Sequence, residues 1–260
     1  MAVRFELKAS LREYLDAGDS NTKEFLADEV FAAALNRIYE FFARELFVVG
    51  NGLKAPASFL SANAFMLWMA SLRMALTGHA AATFPLFRTA LESACYAYLV
   101  QKDEAKEKLW LARHNSEKDL ADCRRAFTPA AREVARAINA VQAGSGDIVL
   151  ETYESAIDFG AHPNTKSVLS HVQSEPETDT EFWRLKLVGV HHHGAVEARR
   201  SVVAALEVAW VIALIIFRTI TEGHESQAQA LAEMHDLKDK VIAQWFVVDG
   251  YKEATSSKGA

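Results

Sequence analysis

SVVAALEVAWVIALIIFRTI, residues 201–220, is apolar at every position except Ser201, Glu207, Arg218 and Thr219. A membrane-spanning helix needs about 20 apolar residues, and a carboxylate near its centre costs roughly 2.5–3.5 kcal/mol even on a lenient insertion scale. A helix that is apolar on almost every side and still carries Glu207 reads as the central buried helix of a bundle. No membrane association is expected of it.

The rest of the chain supports an all-α reading. Half of its 260 residues are hydrophobic, which supplies one large core at the upper end of single-domain size. Only 12 Gly and 5 Pro are present, too few for an all-β chain in which turn residues recur at short intervals. The two cysteines, Cys95 and Cys123, form no CxxC or metal-binding pattern, and Cys95 lies in an apolar run as a small core residue. A reducing, cytoplasmic setting follows as the expectation. The first twenty residues hold Arg4, Glu6, Lys8, Arg12, Glu13 and Asp16 without an apolar run, so no signal peptide is expected. The formal net charge of −6 disfavours an open basic grip on nucleic acid.

Helical periodicity organises most of the chain. Ser20, Asn21 and Thr22 read as a cap ahead of one long helix in which Leu26, Val30, Leu35, Ile38, Phe42 and Leu46 recur at helical spacing, up to Gly50 and Gly52. A second helix is predicted from about Ala57 to Thr77, with Gly78 placed to close it, and a third from about Thr83 to Val100 with Pro85 in its first turn. Residues 102–126 form a charged helix with a thin apolar stripe. Thr128 and Pro129 then open a helix to about Val141, and Asp147 to Phe159 forms another that Gly160 ends. A short helix follows around residues 166–173. Residues 174–181 read as a polar loop, and 182–187 fit a short strand and a frayed helix equally, so residues 174–194 are left open. Helices from about Ala195 to Thr221 and Glu225 to Val247 complete a bundle of about seven to nine. The predicted organisation is an N-terminal extension over 1–20, a helical domain over 21–250 and a flexible tail over 251–260.

Several polar residues fall where the core should be. Arg88 and Glu92, four residues apart, are the only charges between Thr83 and Val100, so they are predicted to pair as buried ions or to line an anion site. Glu207 lies on the same helix face as Arg200 and Arg218 but about 10 and 16 Å from them along the axis. It therefore needs a partner from another helix, with Arg88 the first candidate, or it stays protonated, or it reaches solvent at a seam of the bundle. His191, His192 and His193 are adjacent, so they cannot converge on one ion from a helix and read as a solvated loop. His162, in a junction after Gly160 and before Pro163, is a candidate site residue. No metal site and no cofactor is predicted, and no P-loop, GxGxxG or GxSxG motif occurs.

Two segments carry a resemblance. TFPLFRTALESACYAYLV (83–100), with its R-x-x-x-E, and YESAIDFGAHPNTKSVLSHV (153–172), with its aromatic start and His-Pro junction, resemble a group of uncharacterised bacterial helical proteins with a HEPN-like fold. The resemblance implies a HEPN-like bundle and matches Arg88, Glu92 and His162 to the group's polar residues. Many HEPN domains are metal-independent ribonucleases with an Arg-x4–6-His motif, in which the histidine moves a proton and the arginine steadies the phosphate. Literal matches here are Arg73 to His79, Arg184 to His191 and Arg218 to His224; where the family has a polar residue directly after the arginine, Met74 and Leu185 are apolar and Thr219 is a weak stand-in.

The expectation is a non-enzymatic or regulatory binding protein for a small anionic ligand or a protein partner, with Arg88, Glu92, His162 and Glu207 as binding residues. A homodimer built from exposed helix faces is compatible with it. The alternative is an RNA-cleaving enzyme, with Arg88 and His162, or Arg218 and His224, as its catalytic pair.

Overall fold

Ser10 opens the first helix with a capping box: its hydroxyl accepts from the Glu13 N–H while the Glu13 carboxylate accepts from the Ser10 N–H. In the computed structural model, which describes residues 10–47, 52–161, 164–176, 183–220 and 225–246, this helix is α1 (Leu11–Leu26). The expected extension over 1–20 is therefore helical from residue 11, and Ser20, Asn21 and Thr22 lie inside α1 rather than capping anything. The expected long helix divides at Asp28, whose carboxylate accepts from the Phe31 N–H and starts α2 (Glu29–Glu40), continued by a wider π turn over Phe41–Leu46.

α3 (Ala55–Leu76) and α4 (Ala80–Lys102) form a tight antiparallel pair. Gly78 turns the corner at φ 82°, as its place in the sequence predicts. α4 begins three residues earlier than the pattern suggests, so Pro85 stands beyond its first turn. The single helix expected over 102–126 is two, α5 (Glu104–Ala112) and α6 (Glu117–Phe127), each started by a side-chain cap, Asp103 and Ser116. Thr128 closes α6, and Pro129 precedes α7 (Ala130–Val141). Gly144, at φ 85°, leads into α8 (Ser145–Ala156), which ends in a π turn over Ile157–Ala161. After the short α9 (Thr165–Leu169) come β1 (Val172–Pro176) and β2 (Trp183–Leu187), paired antiparallel with Val172 opposite Leu187. The polar loop expected from residue 174 thus starts as strand, and the open segment is strand from 183. α10 (Val196–Thr219) and α11 (Glu225–Phe246) follow. The described residues hold eleven α-helices, more than the predicted seven to nine, because caps inside the long periodic stretches divide them. The tail at 251–260, His162 and His224 lie outside the described residues.

α10 is the axis of the bundle. It packs against α2, α3, α4, α8 and α11. Val202, Ala205, Leu206, Ala209, Ile212, Ile215 and Ile216 on it are fully buried. Trp68 on α3 donates its indole N–H to the Ala205 carbonyl at 2.8 Å, and its ring stacks with Phe65 and Phe42, whose centroids are 4.8 Å apart. Among the described residues two helices, α3 and α10, are long and apolar enough to cross a membrane; in α10 72% of the most apolar window is buried inside the protein, in α3 39%.

Candidate functional site

Ala204, Glu207, Val211, Leu214 and Arg218 recur along α10 at three- and four-residue intervals, so they form one stripe down a single face. α8 borders this stripe on one side and α11 on the other, which leaves a groove with α10 as its floor. Two cavities occupy it. One of about 310 Å³ holds Glu207, with Glu151, Thr152 and Ser155 from α8 and His235 and Lys238 from α11. The other, of about 350 Å³, holds Arg218, with Gln142 and Ser145 on one wall and His235 and Asp236 on the other. Trp210 and His235 line both, so the cavities adjoin there.

The two ends differ in charge. Arg218 donates through one terminal nitrogen to the Gln142 Oε1 at 2.6 Å, and its guanidinium carbon lies 5.6 Å from the Phe217 ring centre. Its Nε is buried with no acceptor among the described residues. At the other end Glu207 is half-buried, and no hydrogen bond engages its carboxylate among the described residues. Burial pushes its carboxyl above the usual range; Lys238 and His235 oppose that shift and Asp239 adds to it. Lys238 is itself held by Asp239 at 3.1 Å, which blunts its effect. Between the ends, the Trp210 indole N–H is taken by the Leu231 carbonyl at 3.0 Å, so the ring offers only apolar surface. His235 meets that ring edge-on at 5.1 Å and places Nδ1 3.2 Å from Asp239.

Arg88 and Glu92 pair as the sequence predicts, at 2.9 Å, and the Tyr153 hydroxyl donates to the same Glu92 oxygen at 2.8 Å. Their side chains are 28% and 31% exposed, so the pair is part-buried rather than fully enclosed. Burial depresses the Arg88 pKa, but the Glu92 hydrogen bond and charge outweigh it and the net shift is upward. Tyr153 is pushed up to about 12 by burial and by Glu92. Arg88 is thus committed to Glu92 and is not the partner of Glu207, whose charged neighbours come from α11. Glu207 instead reaches a seam of the bundle.

The histidine run is a loop, as expected, and His192 is exposed in it, but His191 is not solvated. His191 is 4% exposed, and its Nε2 lies 2.8 Å from the His171 Nδ1. Its N–H donates to the Gly78 carbonyl at 2.9 Å. The buried Asn21 amide donates to the His191 carbonyl at 2.8 Å and accepts from the His193 N–H at 2.9 Å. Among the described residues no group of three or more His, Cys, Asp or Glu is placed to hold a metal ion. Of the motif pairs, Arg73 and His79 take other partners: Arg73 binds Asp19, while His79 binds Tyr14 and Thr77. Sequence reasoning missed Gln142, Trp210, His235 and Lys238, although the α10 stripe through Glu207 and Arg218 pointed to the face they share.

No family model matches this chain, and neither a curated protein nor a solved structure is significantly similar to it.

Proposed function

We propose that the chain is a HEPN-like binding protein for a small anionic ligand, and that Arg218 rather than Arg88 meets the anion. The carrying observation is Arg218, which lines the cavity with its Nε buried and without an acceptor among the described residues while a terminal nitrogen is already oriented by Gln142. An unsatisfied buried N–H costs about 1–3 kcal/mol, and a carboxylate or phosphate oxygen would relieve it with a charge-assisted bond along the guanidinium fork. A cavity of about 350 Å³ suits a small molecule. Thermal melts with inorganic phosphate and with short carboxylates test this: stabilisation that disappears in Arg218→Gln is expected, and equal stabilisation of that variant overturns the assignment.

One observation favours a catalytic second reading. His235 lines the same cavity as Arg218, and Asp239 orients its Nδ1, so the opposite ring nitrogen is available for proton transfer. The ribonuclease alternative then uses Arg218 with His235 rather than His162 or His224. Purified protein in EDTA is expected to leave single-stranded RNA intact; cleavage that is lost in His235→Ala would establish the enzyme.

A further inference from the structure

The groove has a second charged end that an anion alone leaves unused. We propose that the ligand is bipolar and elongated: its anionic group sits on Arg218, its cationic group on Glu207 and Glu151, and an apolar or aromatic middle lies along Trp210 and His235. This rests on the anion reading above and extends it to the other cavity.

Three observations carry the inference. The first is alignment, because Glu207 and Arg218 are eleven residues apart on α10, hence about 20° apart around the axis and about 16 Å along it. Both line cavities that adjoin at Trp210 and His235. One extended molecule can therefore reach both. The second is the local balance of charge. Lys238, which lines the same cavity as Glu207, is 13% exposed and held by Asp239, whereas the Glu207 carboxylate has no hydrogen bond among the described residues and the exposed Glu151 lines the cavity with it. At the other end Arg218 is met by a neutral amide, and Asp236, which lines that end from the exposed face of α11, does not pair with it. An ammonium or amidinium placed at Glu207 supplies the counter-charge that its burial lacks. The third is the middle, where the Trp210 N–H is already spent on Leu231 and only ring surface faces the groove. The Trp210 ring face there gives methylenes or a flat ring a surface to pack on.

The experiment is calorimetric titration of the full chain at pH 8 with 11-aminoundecanoate, undecanoate, undecylamine, 6-aminohexanoate, hexanoate and inorganic phosphate. The extended 11-carbon chain spans about 14 Å, close to the separation of the two charged residues. 11-Aminoundecanoate is expected to bind at least tenfold more tightly than undecanoate or undecylamine, and 6-aminohexanoate, too short to bridge, is expected to gain nothing over hexanoate. Glu207→Gln should erase the tenfold advantage of 11-aminoundecanoate over undecanoate, with Glu151→Gln, on an exposed position, reducing it in part. Arg218→Gln should weaken both ligands. Equal affinity for 11-aminoundecanoate and undecanoate, both dependent on Arg218, overturns the bipolar ligand and leaves the anion site standing. Absence of binding by undecanoate and by inorganic phosphate overturns both.

Discussion

Arg88 and Glu92 are a pair whose worth depends on how much water reaches them. A fully enclosed pair costs about 3–5 kcal/mol when one partner is removed, whereas an exposed one is worth about 0–1 kcal/mol. With both side chains near 30% exposed, and Tyr153 still donating to Glu92 after truncation, Arg88→Ala is expected to destabilise by about 1–3 kcal/mol. Urea melts check it, and a Met/Leu replacement of the two together should recover most of the loss. The histidines set a second expectation. Burial lowers the pKa of His79, His171 and His191, and the proximity of His171 lowers that of His191 further. Because the unfolded chain then holds more protons than the folded one below about pH 6.5, the stability these residues give is complete above that pH and is lost as pH falls through it toward their folded values. Glu207 acts with the opposite sign, since its raised pKa makes protonation favour the fold as pH falls. Urea midpoints in a Glu207→Gln background should therefore drop between pH 7.5 and pH 5, and a His171→Asn/His191→Asn variant should flatten the curve. A flat curve for the Glu207→Gln protein would sink the argument.

The elements show what local pattern decides and what it leaves to tertiary contact. α3, α10 and α11 fall close to their predicted spans because long apolar periodicity and the Gly78 corner are local signals. The divisions at Asp28 and Ser116 were also written locally, as cap residues, but the apolar rhythm ran across them and masked the breaks. The Arg88 and Glu92 pair was legible from spacing alone. The groove was not, since Gln142, Glu151 and His235 come from helices whose mutual placement is set only when α10 is packed. The β1 and β2 pairing likewise joins segments across residues that carry no tight-turn signature. Asn21 is the clearest such case: buried in α1, it hydrogen-bonds the backbone of Thr77, His191 and His193, and so ties α1 to the α3–α4 corner and to the loop before α10. Asn21→Leu removes those partners from groups that stay buried, which should cost about 2–4 kcal/mol. Hydrogen exchange should show the loss of protection concentrated at residues 190–195. Uniform loss across all helices would assign Asn21 a global role instead.

For the whole molecule, the question is which solvent its two most apolar helices are built for. α10 carries Glu207 and Arg218 on the groove face, and 72% of its most apolar window is enclosed by protein. In lipid each of those charges would cost roughly 2.5–3.5 kcal/mol, whereas in the bundle they border water-reachable cavities and the remaining faces are packed. α3 is the more ambiguous element, because Phe59 and Met66 are 70% and 62% exposed and no charge interrupts residues 55–72. Its opposite face nevertheless seats Trp68 against α10 through an indole hydrogen bond, an arrangement that ties α3 to the same core. Extracting α3 into a bilayer would strip that contact and uncover the most buried side of α10. The chain expressed without detergent is therefore expected in the soluble fraction, and salt or carbonate washing should leave none in the pellet. Recovery only from carbonate-washed membranes would mean that α3 or α10 finds lipid a better partner than the bundle, and the groove would then have to be reinterpreted as a lipid-facing seam.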